Sequence, residues 1–102
     1  MSDFLTELNR RVLVFDGAMG TSIQQREPNP TDFGGLDGCN EVLVRTRPDM
    51  IRELHDEFLD VGCDAVETDT FGGAPWVLDE YGLADETESL NAAAARLAHE
   101  AC

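Results

Sequence analysis

The sequence contains no lysine, and its 7 basic residues are all arginine against 21 acidic residues, which gives a formal net charge of −14. A surface with this excess of negative charge repels the phosphates of nucleic acids and of anionic lipids. We therefore predict neither a nucleic-acid partner nor a membrane partner. The same bias suggests a host with high internal salt, where ions screen the self-repulsion of the chain; an ordinary well-solvated surface is the simpler alternative.

Cysteine is also scarce, and Cys39, Cys63 and Cys102 form no CxxC pair and match no zinc-finger spacing. Residues 1–11 carry charges and lack the apolar core of a signal peptide. No apolar run approaches the roughly 20 residues that span a bilayer. We predict a cytoplasmic protein with reduced thiols, organised as one domain over residues 1–102.

The first buried segment is predicted at residues 11–16. Val12 to Phe15 are four consecutive apolar residues, too few for a helix and without polar alternation, a pattern that favours a strand covered on both faces. Such strands belong to parallel α/β sheets and barrels, which bind ligands at the carboxyl ends of their strands. Asp16 and the turn at 17–21 fall at such an end, so Asp16 is the first candidate site residue.

The turn after Asp16 leads into a predicted helix at residues 21–26. Free N–H groups at a helix start can hold a carboxylate, and the Asp16 carboxylate beside them can hold an ammonium group. One turn can therefore bind both ends of an amino-acid zwitterion. A purely structural turn is the alternative, because many strand-to-helix turns carry an Asp-Gly pair.

A second parallel strand is predicted at residues 63–73. A covered strand does not hold carboxylates without partners, because burying an unpaired charge is costly. We therefore expect Asp69 to face the same polar mouth as Asp16, and Glu67 to lie deeper in a structural pairing with an arginine. An Mg²⁺ site or an acid/base pair formed by Asp16 and Asp69 is the alternative, although no third ligand is in view.

Apolar spacing, capping residues and flanking proline or glycine predict further helices at residues 2–10, 48–61, 74–82 and 86–101. Ser2 and Asp3 can cap the first of them. The second presents an apolar stripe, with His55 at its border as a partly buried structural residue; the stripe consists of Ile51, Leu54, Phe58 and Val61.

Residues 27–46 are rich in proline, glycine and asparagine and are predicted to form a long connection. Loops of this length in compact domains are often functional. Asn40 and Glu41 could reach a ligand from it, or cap the loop.

Four motifs follow one another along the chain: Asp16-Gly17-Ala18-Met19-Gly20-Thr21, Gly38-Cys39-Asn40-Glu41, Thr46-Arg47-Pro48-Asp49 and Glu67-Thr68-Asp69-Thr70-Phe71-Gly72. In this order and spacing they resemble the homocysteine S-methyltransferase family, nearest to the amino-terminal module of its cobalamin-dependent members. The resemblance spans nearly the whole chain. It implies an α/β fold in which this chain forms the first βα units of an incomplete (β/α)8 TIM barrel, since a complete one needs roughly 250 residues.

The resemblance also implies an activity, the transfer of a methyl group to the thiol of homocysteine to form methionine. A zinc ion activates the thiol, and methylcobalamin is the methyl donor. In this family the motif acid, here Asp16, contacts the substrate amino group, and the turn at Gly17 and Ala18 contacts the carboxylate. The fourth motif adds Asp69 and Thr70 as substrate contacts, but it usually reads Thr-Asn-Thr-Phe, so Asp69 adds negative charge to the mouth.

The zinc-binding cysteines of the family lie on later strands that no part of this chain matches, so no metal ligand is assigned here. We expect an amino-terminal fragment, inactive by itself, whose partners are homocysteine, the remainder of the barrel and the cobalamin and folate modules. One alternative is a methyltransferase that uses betaine or S-methylmethionine. Another is a small, non-catalytic acidic interaction protein that pairs an exposed strand edge with a partner.

Overall fold

A computed structural model describes residues 3–102, and the regular structure within them is helical. The helices are α1 (Phe4–Leu8), α2 (Met19–Gln25), α3 (Leu43–Thr46), α4 (Pro48–Asp60), α5 (Pro75–Leu78) and α6 (Thr87–Ala101). A 3-10 turn at Asn40–Val42 leads into α3, and two others at Asp79–Tyr81 and Ala84–Glu86 connect α5 to α6.

The predicted α/β fold, the first βα units of a TIM barrel, is wrong for the described residues, which contain no β-sheet. The two predicted strands, 11–16 and 63–73, meet at an isolated parallel bridge between Phe15 and Ala65. The N–H of Asp16 donates to the carbonyl of Ala65 over 3.0 Å there. The predicted burial fails as well, because Val12 is 85% exposed and Val14 is 55% exposed.

Backbone and side-chain hydrogen bonds together join this pair of segments. The carbonyl of Val14 accepts from the N–H of Asp64 over 2.7 Å and from the N–H of Ala65 over 3.3 Å. The carboxylate of Asp64 accepts from the N–H of Val14 and from the guanidinium of Arg11, each over 2.9 Å. Parallel strands are stable where helices cover both faces and other strands pair along the edges. Within residues 3–102 the apolar run at 12–15 receives one such neighbour at one bridge, so it does not extend into a strand.

The predicted helices agree with the structure better than the predicted strands do. Pro48 occupies the first turn of α4, and α6 spans nearly the predicted range. Asp3 caps α1 by accepting from the N–H of Thr6 over 3.3 Å, as predicted, while Ser2 lies outside the described residues. The predicted short helix at 74–82 is present as α5 and the turn after it, which ends at Gly82 in the left-handed conformation (φ 71°).

The core forms where α3, α4 and α6 pack together, with α2 and α5 at its margins. Its largest fully buried side chains are mainly aliphatic, and they are Ile23, Leu43, Ile51, Leu54, Leu78 and Leu90, together with His55 and Cys39. Ala94 and Ala98 on α6 are also buried. This helical core holds in place the two segments, 15–20 and 67–72, that carry the candidate site.

Two predictions about the core are corrected. The connection at 27–46 ends earlier than predicted, because the 3-10 turn and α3 occupy residues 40–46, where Leu43 and Val44 are buried in the core. The stripe on α4 ends earlier than predicted, since Val61 is 84% exposed, whereas His55 is entirely buried rather than partly so. Val61 follows the last helical residue, where α4 has already left the packed region.

Candidate functional site

A cleft of about 730 Å³ lies beside the helical core. Its walls come from the loop before α2, the turn before α3, the segment before α5 and the turn that follows α5. The polar and backbone groups that line it include Asp16, Gly17, Ala18, Asn40, Glu41, Glu67, Asp69 and Thr70. We call this space the acidic cleft, because four of its lining side chains are carboxyl groups.

Asp16 is held at the wall of the acidic cleft by the bridge next to it. Its Oδ1 accepts from the backbone N–H of Glu67 over 3.0 Å, and its own N–H donates to Ala65. The side chain therefore connects two segments that are far apart in sequence. Oδ1 of Asp16 is therefore held by the N–H of Glu67, and the residue lines the acidic cleft.

The turn after Asp16 is open around its first glycine. A Cβ built on Gly17 would meet no atom within 4 Å, whereas one on Gly20 would lie 3.6 Å from Nδ2 of Asn40. Helix α2 begins at Met19 without a side-chain cap, so its first N–H groups receive no side-chain acceptor. Backbone donors are thus available at this wall of the acidic cleft.

Asp69 is the most deeply buried acid of the acidic cleft, with 3% of its surface exposed. Its Oδ2 has no hydrogen-bond partner within the described structure. Burial, reinforced by the negative charge of Glu41, raises the pKa of Asp69 from its ordinary 3.8 to about 7. A substantial fraction of Asp69 is therefore a neutral carboxylic acid at neutral pH.

Glu41 forms the buried floor of the acidic cleft beside Asp69. It is 8% exposed, and its Oε2 accepts from the N–H of Gly72 over 3.0 Å. A Cβ on Gly72 would lie 3.0 Å from Oε1 of Glu41 and 3.2 Å from Cγ1 of Val77. Glycine at position 72 is what lets the backbone approach the carboxylate so closely.

The segment around Thr70 is anchored from two sides. The hydroxyls of Thr68 and Thr70 share a hydrogen bond of 2.7 Å, and the carbonyl of Gly73 accepts from Nδ2 of Asn91 on α6 over 2.9 Å. Thr70 is half-buried at the cleft wall. The position of this wall is therefore set by a long helix of the core.

The sequence model of the family described as homocysteine S-methyltransferase matches residues 13–102. The chain belongs to the homocysteine S-methyltransferase family. The family recognised from the four sequence motifs is thereby confirmed, and so is the enzyme class of that family, a methyltransferase.

Two curated relatives of this family member are the methionine synthases of Mycobacterium tuberculosis and Mycobacterium leprae. Each is 46% identical to it over 90 residues, which cover 88% of this chain and 8% of the relative. The chain therefore spans less than a tenth of the length of the curated relatives it matches.

The five predicted site residues of this homocysteine S-methyltransferase family member all line the acidic cleft; they are Asp16, Gly17, Ala18, Asp69 and Thr70. Glu67 is placed differently from its prediction. It is exposed at the cleft wall rather than deep, and in the described residues it forms no ion pair with an arginine. Glu41 was predicted to lie in a loop, but it is buried at the floor of the acidic cleft. Its place in the Gly-Cys-Asn-Glu motif was the signal in the sequence that it belongs to the site.

The described residues do not provide a zinc site. Residues 3–102 contain no group of three His, Cys, Asp or Glu side chains able to hold a metal ion. Cys39 is buried in the core, Cys63 is half-buried and Cys102 is exposed. Burial raises the pKa of the Cys39 and Cys63 thiols, which opposes the thiolate form that zinc requires. Residues 3–102 thus supply no ligand set for zinc or for the alternative Mg²⁺ site.

In residues 3–102, no helix combines the length and the apolar character that crossing a bilayer requires.

Proposed function

We propose that this chain supplies the homocysteine-binding surface of a methyltransferase that methylates the homocysteine thiol to form methionine. The observation that carries the proposal is the convergence of the five predicted residues, from two distant segments, on one cleft. The volume of about 730 Å³ lies in the usual range for small-molecule sites, roughly 300–1,000 Å³.

The charge of the acidic cleft supports an amino-acid ligand that is bound through its ammonium group. Asp16 contributes the carboxylate nearest the open turn, and Gly17 and Ala18 contribute backbone at the wall. We assign Asp16 to the ammonium group and the turn to the ligand carboxylate. Asp69 and Thr70 complete the binding surface on the opposite segment.

Further parts of the proposed enzyme are assigned by family alone. Zinc as activator of the thiol, methylcobalamin as methyl donor, and cobalamin and folate modules as partners belong to the proposal, as does a cytoplasmic location. Exposed apolar side chains on α1 and in the segment after it support contact with additional protein; they are Phe4, Leu5, Leu8, Val12 and Val14. The much greater length of the methionine synthase relatives also supports contact with additional protein.

The substitution Asp16→Asn tests the assignment of the ammonium group. Asparagine keeps an Oδ1 that can accept from the N–H of Glu67, so the wall is preserved while the charge is removed. We expect homocysteine affinity, measured by calorimetry, to fall by ~1.5–3 kcal/mol, the value of a charged hydrogen bond. Asp37→Asn, on an exposed loop acid, is the matched control. Equal affinity in the two variants would remove Asp16 from the site.

A further inference from the structure

The orphaned oxygen of Asp69 is a feature that the roles assigned so far do not explain. Oδ2 of this 3%-exposed side chain has no partner among the described residues, although the residue lines the acidic cleft. A buried polar atom without a hydrogen bond is costly. A neutral carboxyl group lowers that cost, because no charge is then buried without a partner.

No positive charge offsets Asp69 from the walls that face it. The titratable groups around the acidic cleft are Glu41 and Cys39 from the turn before α3, Tyr81 from the turn after α5, Asp16 from the loop before α2, and Glu67 from its own segment. Among the described residues, no arginine or histidine lines the cleft. In such surroundings a buried carboxyl group keeps its proton, as the raised pKa of Asp69 indicates.

The carboxylate of an amino-acid ligand needs neutral donors in a cleft lined by acids. The Thr70 hydroxyl is already engaged with Thr68, although either oxygen can be the donor of that bond. An ionised Asp69 would repel the ligand carboxylate, whereas a protonated Asp69 would donate a short hydrogen bond to it. The protonation state of Asp69 therefore decides whether its segment strengthens or opposes the binding of the ligand carboxylate by the turn at Gly17 and Ala18.

Resting on the proposed function, we infer that Asp69 binds the substrate as a neutral acid, donating a hydrogen bond from its carboxyl group to the carboxylate of a zwitterionic amino acid. Asp16, Glu41 and Glu67 then provide the negative charge that faces the ammonium group. Asp69 thereby makes binding dependent on pH and restricts the cleft to ligands that carry both charges.

The test measures homocysteine affinity by calorimetry between pH 5.5 and 8 for the wild type, Asp69→Asn and Asp79→Asn. We expect the wild-type dissociation constant to rise about tenfold for each pH unit above the pKa of Asp69. Asparagine has an amide donor that does not titrate, so the affinity of Asp69→Asn should be the same at pH 8 as at pH 6. Asp79 is exposed and does not line the cleft, so Asp79→Asn should keep the wild-type profile.

A second measurement requires no ligand and no folded variant of Asp69. The carboxyl carbon of Asp69, followed by NMR, should titrate in the wild type near pH 7. In Glu41→Gln the titration midpoint of Asp69 should be lower, because the negative charge of Glu41, one of the two causes of the raised pKa, is removed. A wild-type midpoint near 3.8 would overturn the inference.

The outcomes separate the two proposals. If homocysteine binds with the same pH profile to the wild type and to Asp69→Asn, the inference is wrong and the proposed function stands. If homocysteine binds neither protein at any pH, the proposed function is wrong and the inference falls with it.

Discussion

His55 on helix α4 lies in the core without a hydrogen-bond partner among residues 3–102. His55 is fully buried, and in the described structure neither ring nitrogen has a hydrogen-bond partner. Burial lowers the pKa of His55 below its ordinary 6.5, although the charge of Asp16 opposes the shift. The neutral imidazole is therefore the form that the folded chain accommodates.

The first prediction concerns acid sensitivity at His55. The unfolded chain takes up a proton at His55 at about pH 6.5, whereas the folded chain does so only at lower pH, so the contribution of His55 to the free energy of unfolding should fall as the pH drops through 6.5. The loss is about 1.4 kcal/mol for each pH unit between the two pKa values. Urea unfolding from pH 7.5 to 5 should show the stability of the wild type falling relative to that of His55→Leu, because the raised pKa of Asp69 adds stability to both proteins as the pH drops and cancels in the difference.

The exposed His99→Gln is the matched control for His55→Leu, since it removes an imidazole that the solvent already surrounds. It should keep the acid sensitivity of the wild type. Parallel stability profiles for the wild type and His55→Leu would show that burial of His55 does not limit stability in acid.

The second prediction concerns Gly72. A methyl group there would lie 3.0 Å from Oε1 of Glu41 and 3.2 Å from Cγ1 of Val77, so these side chains must move, and Gly72→Ala should lower the free energy of unfolding by about 1–3 kcal/mol. Gly17→Ala is the control, because a Cβ there meets no atom within 4 Å and should leave stability nearly unchanged. Urea unfolding of both variants measures the difference, and equal stabilities would contradict the tight contact at Gly72.

The site residues differ in how far the sequence could identify them. Asp16 was identifiable because it ends an apolar run, and Asp69 because a carboxylate on a strand predicted to be covered is costly unless it faces a polar mouth. The depth of Glu41 and the exposure of Glu67 were not identifiable. The burial of Glu41 depends on the hydrogen bond that its carboxylate accepts from the N–H of Gly72. The position of Glu67 depends on the hydrogen bond that its own N–H donates to the side chain of Asp16.

At the scale of elements, α4 and α6 were predictable because each carries its own signal. Proline begins α4, alanine dominates α6, and apolar side chains recur at helical spacing on both. The hydrogen bonds of a helix lie within its own segment. Local sequence is therefore sufficient to specify a helix, though not how far along it the core extends.

The third prediction tests the packing of α4. Leu54 is 1% exposed between the core helices, so Leu54→Ala should lower the free energy of unfolding by about 2–5 kcal/mol. Leu5→Ala makes the same chemical change on α1, where the side chain is 63% exposed, and should cost far less. Thermal unfolding of the two variants gives the comparison; similar losses would mean that the core is not centred on α4.

The segments at 11–16 and 63–73 show why strands were harder to predict. An apolar run indicates burial only if a partner segment and covering helices are present. Here Asp64 takes the place of a ladder carbonyl for Val14, and the apolar side chains of Val12 and Val14 remain in solvent. The parallel contact between Phe15 and Ala65 is nevertheless sufficient to bring Asp16 to Glu67.

At the scale of the whole molecule, charge dominates the surface. Arginines such as Arg11, Arg26 and Arg47 each contact two carboxylates, but the net charge remains −14. Exposed ion pairs contribute little individually, typically about 0–1 kcal/mol. Repulsion among the remaining acids therefore opposes the compact state.

The fourth prediction follows from this repulsion. Because salt shortens the screening length from about 30 Å at 0.01 M to about 3 Å at 1 M, the free energy of unfolding should rise over this range of NaCl concentration. The double variant Asp85→Asn, Glu88→Gln removes two exposed charges and should respond less steeply. Urea unfolding at each salt concentration tests both statements. Stability that does not change with salt would contradict the effect of the charge and the hypothesis of a high-salt host.

The sequence by itself determined the family, the two long helices and the residues that meet at the acidic cleft, because motifs, helical periodicity and capping are local properties of the chain. Only the tertiary structure decided that the apolar run at 12–15 stays out of a sheet, that Glu41 and His55 are buried, and that Asp69 is left with an orphaned oxygen. Those outcomes depend on which distant groups reach one another, and so on burial and pairing that no single segment encodes.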